Sequence, residues 1–336
     1  MIISKTPFRI SFFGGGTDYP AWYHNHDGAV LSTSIDKYCY ITCRYLPPFF
    51  EHKHRIIYSL MEQVKDVSEI RHPAVRGCLK FLNIREGLEI HHDGDLPART
   101  GLGSSSSFTV GLLNALYALK GIMISKENLA QDAIHVEQDM LKENVGSQDQ
   151  IAAACGGFNI IRFYGKNKFR VDPVTINVRR LNELQDNLML FFTGFSRYAS
   201  DIAAEQVRVT PRRTKEMKEM LQMVSKAIEV INGRAYLSEL GKLMHESWQI
   251  KRGLTKRITT QMIDEIYAQA RQAGAVGGKL LGAGGGGFML FYVKRGDQNK
   301  VKDRLKRLLH VPFRFENLGS QIIFYSPAHK IRSKTK

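Results

Sequence analysis

The chain has 336 residues, 43% hydrophobic and 24% charged, which is the content of a globular protein with room for one large domain or two ordinary ones. Its 48 Lys and Arg against 32 Asp and Glu give a formal net charge of +16, which favours an anionic partner: nucleic acid, an acidic membrane surface or phosphorylated small molecules. The four cysteines (Cys39, Cys43, Cys78 and Cys155) form no C-x-x-C pair and read as reduced thiols, while the lack of an 18-residue apolar run or a signal-peptide core argues against a membrane span and for the cytoplasm.

In chain order, residues 2–13 alternate in polarity and predict a strand that ends at Gly14-Gly15-Gly16. Lys37 to Leu46 and Leu88 to Leu96 read as further strands. Ser104 to Lys120 is helical in period, with Phe108, Leu112, Leu116 and Leu119 on one face, and Ser125 to about Lys142 predicts a second helix. Phe158–Phe163 returns to strand. The polar, basic stretch from Gly165 to about Asn187 reads as a domain boundary. Beyond it come a strand at Leu188–Thr193, helices at Met217–Ile231, Leu237–Trp248 and Met262–Ala273, and strands at Phe288–Val293 and Ile322–Tyr325. This alternation predicts an α/β (α+β) protein in two lobes, 1–175 and 176–330, with a basic tail at 331–336.

Three glycine-rich elements stand out. FFGGGTDYP (12–20) lets backbone approach a ligand and offers the Thr17 hydroxyl and Asp18 carboxylate, although an ordinary glycine turn has the same composition. LPARTGLGSSSSFTVGLLNAL (96–116) runs from Gly101 and Gly103 through serines into an apolar helix. The unpaired N–H groups of such a helix start suit a phosphate, and no G-K-[ST] follows, so it is not a Walker loop. GGKLLGAGGGGFMLFYV (277–293) places Gly284 to Gly287 before a strand, which fits close packing against a ligand or another backbone.

Two carboxylates are candidates. At about 100° per residue, Leu129, Ala130, Ala133, Ile134, Met140 and Leu141 form one apolar arc with Glu137 near its centre. A carboxylate there needs a cation, a metal or donors. In GSQDQIAAACGG, Ser147 with Gln150 fits a capping box and puts Asp149 in the first turn of a short helix, beside a run of small residues.

In this order the elements resemble the GHMP kinases, the family of galactokinase and the homoserine, mevalonate and phosphomevalonate kinases. Pro97-x-x-x-Gly101-Leu102-Gly103-Ser104-Ser105 matches the family's phosphate loop, and Lys279 to Gly287 its C-terminal motif. The resemblance implies a two-lobed GHMP kinase fold with ATP and substrate in the cleft between the lobes. It places the ATP phosphates at Gly101, Gly103, Ser104, Ser105 and Ser106, Mg²⁺ on Ser105 and Glu137, Asp149 as catalytic base, and Arg9 where many members have Lys. Glu137 and Asp149 lie one residue further apart than in mevalonate kinase. Within the family, GGGTDYP, TGFSRYAS (193–200) and HESWQIKR (245–252) look most like the heptose 7-phosphate kinases, which implies transfer to the anomeric O1 of a small-molecule sugar phosphate. The substrate candidates are then Gly15, Gly16, Thr17, Asp18, Arg197, Lys251, Arg252, Lys279, Gly284 and Gly285. A kinase for a free sugar such as galactose or fucose stays open, as does a non-catalytic nucleic-acid or sensor protein on the same fold. The basic residues are scattered (Arg212, Arg213, Lys302 to Arg307 and the tail) rather than gathered on one face, so no nucleic acid or membrane partner is expected, and the chain is expected to act as a monomer or homodimer.

Overall fold

The alternating apolar residues at the start of the chain form β1 (Ile2–Phe13), and a computed structural model of the protein, which describes residues 1–98, 100–165, 168–194 and 199–326, builds the rest around that strand. The other strands are β2 (Gly28–Tyr45), β3 (His54–Ile57), β4 (Met61–Val64), β5 (Leu88–Gly94), β6 (Phe158–Tyr164), β7 (Lys168–Pro173), β8 (Leu188–Gly194), β9 (Ala275–Leu280), β10 (Gly287–Val293), β11 (Leu309–His310), β12 (Phe315–Glu316) and β13 (Gln321–Tyr325). A nine-stranded sheet runs β13-β1-β2-β5-β3-β4, with β12 and β6 also paired to β2 and β7 paired to β6, and a four-stranded sheet runs β11-β8-β10-β9. The long β2 pairs β1 on one edge. Its first half pairs β6 at Gly28–Thr33, and its second half pairs β5 at Cys39–Tyr45.

The predicted elements are present, most with small shifts at their ends, although β2 begins at Gly28 rather than Lys37 and the helix expected at Leu237–Trp248 runs over Ser238–Leu254; the fold is the expected mixed α/β one, built on two sheets. Helix Ser104–Leu119 buries Phe108, Leu112, Leu116 and Leu119, the face anticipated from the pattern. It crosses β1 closely at Gly111, where a Cβ would lie 2.8 Å from Thr6 Oγ1. The division expected after residue 175 marks the change from one sheet to the other, but β12 and β13 return to pair with β2 and β1, so the lobes are not two consecutive segments. The supposed boundary 165–187 is itself structured, carrying β7 and helix Val178–Asp186. The tail at 331–336 lies outside the described residues. Both faces of β8 are buried: Leu188 and Leu190 join the core around Phe8, Ile10 and Leu112, while Met189 and Phe191 join a second cluster with Trp248 and Phe291. The lobes therefore share a core. All four cysteines are free thiols.

Two local expectations are corrected. The helix after Ser125 is α-helical only over Lys126–Ile134 and continues as a π-helix over His135–Met140, where Leu141 N–H bonds Val136 O five residues back at 2.9 Å. The wider turn changes the helical phase. Met140 is exposed and Leu141 half-buried rather than closing the apolar arc, while Glu137 keeps its inward position. The capping box at Ser147 is not formed. Ser147 has helical backbone angles, and its hydroxyl bonds the Tyr23 hydroxyl and Gln138 Nε2, each at 3.0 Å. Asp149 nevertheless sits in the first turn of helix Gln148–Cys155, as expected.

Candidate active site

A cleft of about 510 Å³ opens between the sheets. Its lining comes from β1 (Arg9, Ser11), the turn after it (Gly15, Gly16, Asp18, Tyr19), the start of helix Ser104–Leu119 (Gly101, Gly103, Ser104, Ser105), the start of helix Gln148–Cys155 (Gln148, Asp149), and the second lobe (Lys251, Lys279, Gly282, Gly284). Two of the glycine elements meet back to back on its wall. Gly282 has φ +77°, and a Cβ there would collide with Gly101 Cα, so the GAGGGG run packs against the backbone of the GLGSS loop. Gly103, with φ +75°, is the N-cap of the serine helix, and no side chain caps that N-terminus. The first-turn N–H groups therefore face the cleft as donors, an arrangement suited to phosphate.

Over this helix start lies an ion pair. Arg9 Nε donates to Asp149 Oδ1 at 2.8 Å and a terminal nitrogen to Oδ2 at 2.9 Å, while its other terminal nitrogen donates to Gly101 O at 2.8 Å. Arg9 is 4% exposed, whereas the Asp149 side chain keeps 20% of its surface. This two-pronged geometry fixes the carboxylate plane and leaves its outer side toward the cleft. A carboxylate so held can orient a hydroxyl group or take its proton.

Glu137 is fully buried. Ser106 Oγ donates to its Oε2 at 2.8 Å and Gln150 Nε2 donates to the same oxygen, but Oε1 has no partner among the described residues. Burial pushes its carboxyl up to about 7. The structure thus brings Ser106 rather than Ser105 onto Glu137. Consecutive helical residues point about 100° apart, and Ser105 is exposed beside the cleft while Ser106 turns beneath the helix. No group of three or more His, Cys, Asp or Glu that could hold a metal occurs among the described residues. The unpaired, fully buried Oε1 is still the kind of atom that a divalent cation would complete.

Asp18 accepts from Gly16 N–H at 2.8 Å and from Gln148 Nε2 at 2.9 Å, and burial followed by the nearby Asp149 raises its carboxyl. Thr17 is not a substrate contact. Its fully buried hydroxyl bonds the backbone of Gly14 and Ala29 and ties the turn to β2. Lys251 donates to Leu280 O and Gly282 O, and Lys279 donates to Phe12 O at 2.8 Å. Both are nearly fully buried, and burial draws Lys251 down to about 8 and Lys279 well below the ordinary amine range. Arg252, also a candidate, instead pairs with Asp264 at 2.9 Å. Gly284 lines the cleft, whereas Gly285 gives its N–H to Ile258 O and turns away. Arg197 lies outside the described residues. Ser11, Tyr19 and Gln148 also line the cleft, although none was a candidate from the sequence. Ser11 had a readable signal, since two residues along a strand from Arg9 it must share that face.

Comparison with known proteins fits this geometry. The family models "GHMP kinases N terminal domain" and "GHMP kinases C terminal" match residues 70–157 and 234–311. The mevalonate kinase of Pyrococcus abyssi is 30% identical over 251 residues, 71% of this chain and 69% of its own. The D-glycero-alpha-D-manno-heptose 7-phosphate kinase of Campylobacter jejuni is 29% identical over 332 residues, 91% of this chain and 93% of its own. A crystal structure of a D-glycero-D-manno-heptose 1-phosphate kinase from Bacteroides thetaiotaomicron superposes with a TM-score of 0.78 at 23% identity, covering 97% of this chain and all of the other. The chain belongs to the GHMP kinase family. Members of that class use ATP to phosphorylate sugars and related alcohols.

Proposed function

We propose that this kinase transfers the γ-phosphoryl group of ATP to the anomeric O1 of D-glycero-D-manno-heptose 7-phosphate, giving the 1,7-bisphosphate. The observation that carries the reading is the cleft's charge arrangement. The Arg9–Asp149 pair sits over an uncapped helix start, and facing it are two buried lysines whose hydrogen bonds all go to backbone carbonyls. Buried amines drawn down by burial and left without a carboxylate partner hold their charge more readily once an anion is bound, and a sugar that already bears a phosphate supplies one. The likeness to the Campylobacter heptose 7-phosphate kinase over nine-tenths of the chain supports the same choice.

In this reading the serine-helix N–H groups and Ser104 and Ser105 hold ATP phosphates, and Arg9 balances charge near the transferred group. Asp149 orients the sugar hydroxyl and receives its proton, the chief demand that phosphoryl transfer makes beyond positioning and charge neutralisation. Lys251 and Lys279 hold substrate phosphate, and Asp18 takes a sugar hydroxyl. Glu137 with Ser106 would hold Mg²⁺, which when bound supplies further neutralisation of phosphate charge. A coupled ADP-release assay with ATP and Mg²⁺, run on free and 7-phosphorylated heptose, tests the proposal. Each charge-assisted phosphate contact contributes about 1.5–3 kcal/mol, so kcat/KM should favour the phosphorylated sugar by roughly one to two orders of magnitude per contact. Equal values would instead indicate a kinase for a free sugar.

A further inference from the structure

At one corner of the cleft the two lobes present polar groups that are unpaired and yet accessible. Helix Ala199–Val209 of the second lobe turns Ser200, Ala203 and Gln206 to the cleft, an i, i+3 spacing that puts them on one face. The first two are small, and Gln206 reaches in beside them. On the same helix Ile202 is buried with Met220 and Ile258, which holds the helix against the second lobe. Gln206 is 3% exposed, and its Nε2 lies so near the turn after β1 that a Cβ on Gly16 would stand 3.2 Å from it. The amide has no hydrogen-bond partner among the described residues, yet neither of its polar atoms is sealed from solvent in the way that Ser11 Oγ and Gln148 Oε1 are. An amide held this far inside, with its stem buried and its end open to the cleft, is placed to pair with a ligand.

Tyr19 meets the same corner from the first lobe. It borders the cleft and also a second cavity of about 400 Å³, whose wall includes Val207, the residue after Gln206. The helix therefore passes beside Tyr19. The phenol hydroxyl is likewise unpaired among the described residues and not sealed off. Burial, then Asp18 and Asp149, raise it well above the ordinary phenol range, so it remains a proton donor at any working pH.

We infer that Gln206 and Tyr19 are specificity-determining contacts that read the hydroxyls of the sugar from opposite lobes. An amide and a phenol together offer donors and acceptors, and a neutral hydroxyl can answer both, since it carries one donor and two acceptor lone pairs. The corner does not suit a phosphate. Asp18 and Asp149 both act on Tyr19, and Asp149 raises Asp18 itself, so the local field is negative and would repel an anion. The cationic groups of the cleft, Lys251 and Lys279, belong to other elements. This inference rests on the sugar-kinase reading above.

The test is steady-state kinetics of wild type, Gln206→Met and Tyr19→Phe with ATP and Mg²⁺ on heptose 7-phosphate, free heptose, mannose 6-phosphate and galactose. The 2-, 3- and 4-deoxy forms of the preferred sugar are then compared, and thermal melting is recorded for each protein. Both substitutions keep the bulk of the side chain and remove its polar end. Neither polar end has a partner in the protein, so the melting temperature should stay the same or rise. Loss of one neutral hydrogen bond should raise the sugar KM about tenfold, with kcat within about threefold and the KM for ATP within twofold. Wild type should discriminate about tenfold against at least one deoxy sugar, and at least one variant should lose most of that discrimination. If wild type turns over none of the sugars, the sugar-kinase reading fails and takes these contacts with it. If it turns them over, a variant that keeps the wild-type sugar KM within twofold removes its residue from the contact, and two such variants overturn the inference alone. A raised sugar KM with the deoxy discrimination intact in both variants, or a lowered melting temperature with an unchanged sugar KM, marks a structural role and overturns it as well.

Discussion

Glu137→Gln offers a quantitative handle on the buried carboxylate. In the metal-free protein its pKa rises from 4.5 to about 7 because burial penalises the charged form. Between those values the unfolded chain has released the proton that the folded chain retains, so folding stability falls as pH rises. The difference of about 2.5 pH units corresponds to roughly 3 kcal/mol lost by pH 7.5. Glutamine cannot ionise and escapes this loss, while its carbonyl still accepts from Ser106 and Gln150. At pH 5 the two proteins should melt within a degree or two of each other. At pH 7.5, with chelator present, the variant should melt higher by roughly 3–6 °C, taking about 1–2 °C per kcal/mol for a chain this long. Asp18 is raised in the same direction and titrates in both proteins, so the quantity to follow is the difference between them. Differential scanning calorimetry across pH 5–7.5 measures it. Added Mg²⁺ should stabilise wild type more than the variant at pH 7.5. A variant-minus-wild-type difference independent of pH would refute the assignment of a protonated, buried Glu137.

The other expectations concern the cleft. Asp149→Asn keeps size and some hydrogen bonding to Arg9, so turnover should fall by roughly two to four orders of magnitude while nucleotide binding, read by calorimetric titration, persists. Lys251 loses its charge above about pH 8 in the free enzyme, so the KM for a sugar phosphate should climb through that pH, and a flat profile would remove Lys251 from the anion site. Arg252→Ala, which breaks only a half-exposed pair with Asp264, should leave that KM unchanged. Gly282→Ala should lower the melting temperature and weaken ATP binding together, because its methyl pushes on the Gly101 backbone.

The sequence was most legible where periodicity and local chemistry agree. Helix Ser104–Leu119 follows from its apolar spacing and the inward Glu137 from an angular count, whereas Asp149 occupies the expected first turn without the capping box at Ser147 from which it was expected. What escaped depends on partners distant in the chain. β3, β4 and β12 are two to four residues long and exist through pairing, β4 with β3, β3 with β5 and β12 with β2. β7 and helix Val178–Asp186 lie in the stretch that reads as a domain boundary because, of their residues, only Leu184 is fully buried. Nothing local marks the π-helix either, although the extra residue between Glu137 and Asp149 is the kind of insertion that a five-residue hydrogen-bond step absorbs. Thr17 shows a different limit: a motif names a hydroxyl but not its direction, and here it faces the backbone of its own turn.

The return of β13 to the free edge of β1 has a consequence for biosynthesis. While the chain is being made, β1 and β2 leave the ribosome long before Gln321–Tyr325, the strand that covers β1 on its other side. At about 5–20 residues per second, the wait from residue 45 to residue 321 is on the order of 15–55 s. Through that interval the nascent chain carries an open, largely buried-type strand edge, the feature that recruits stray strands from neighbouring chains. Slow translation of the second lobe would lengthen the exposure, and a ribosome stalled before residue 315 would hold a first lobe that cannot close.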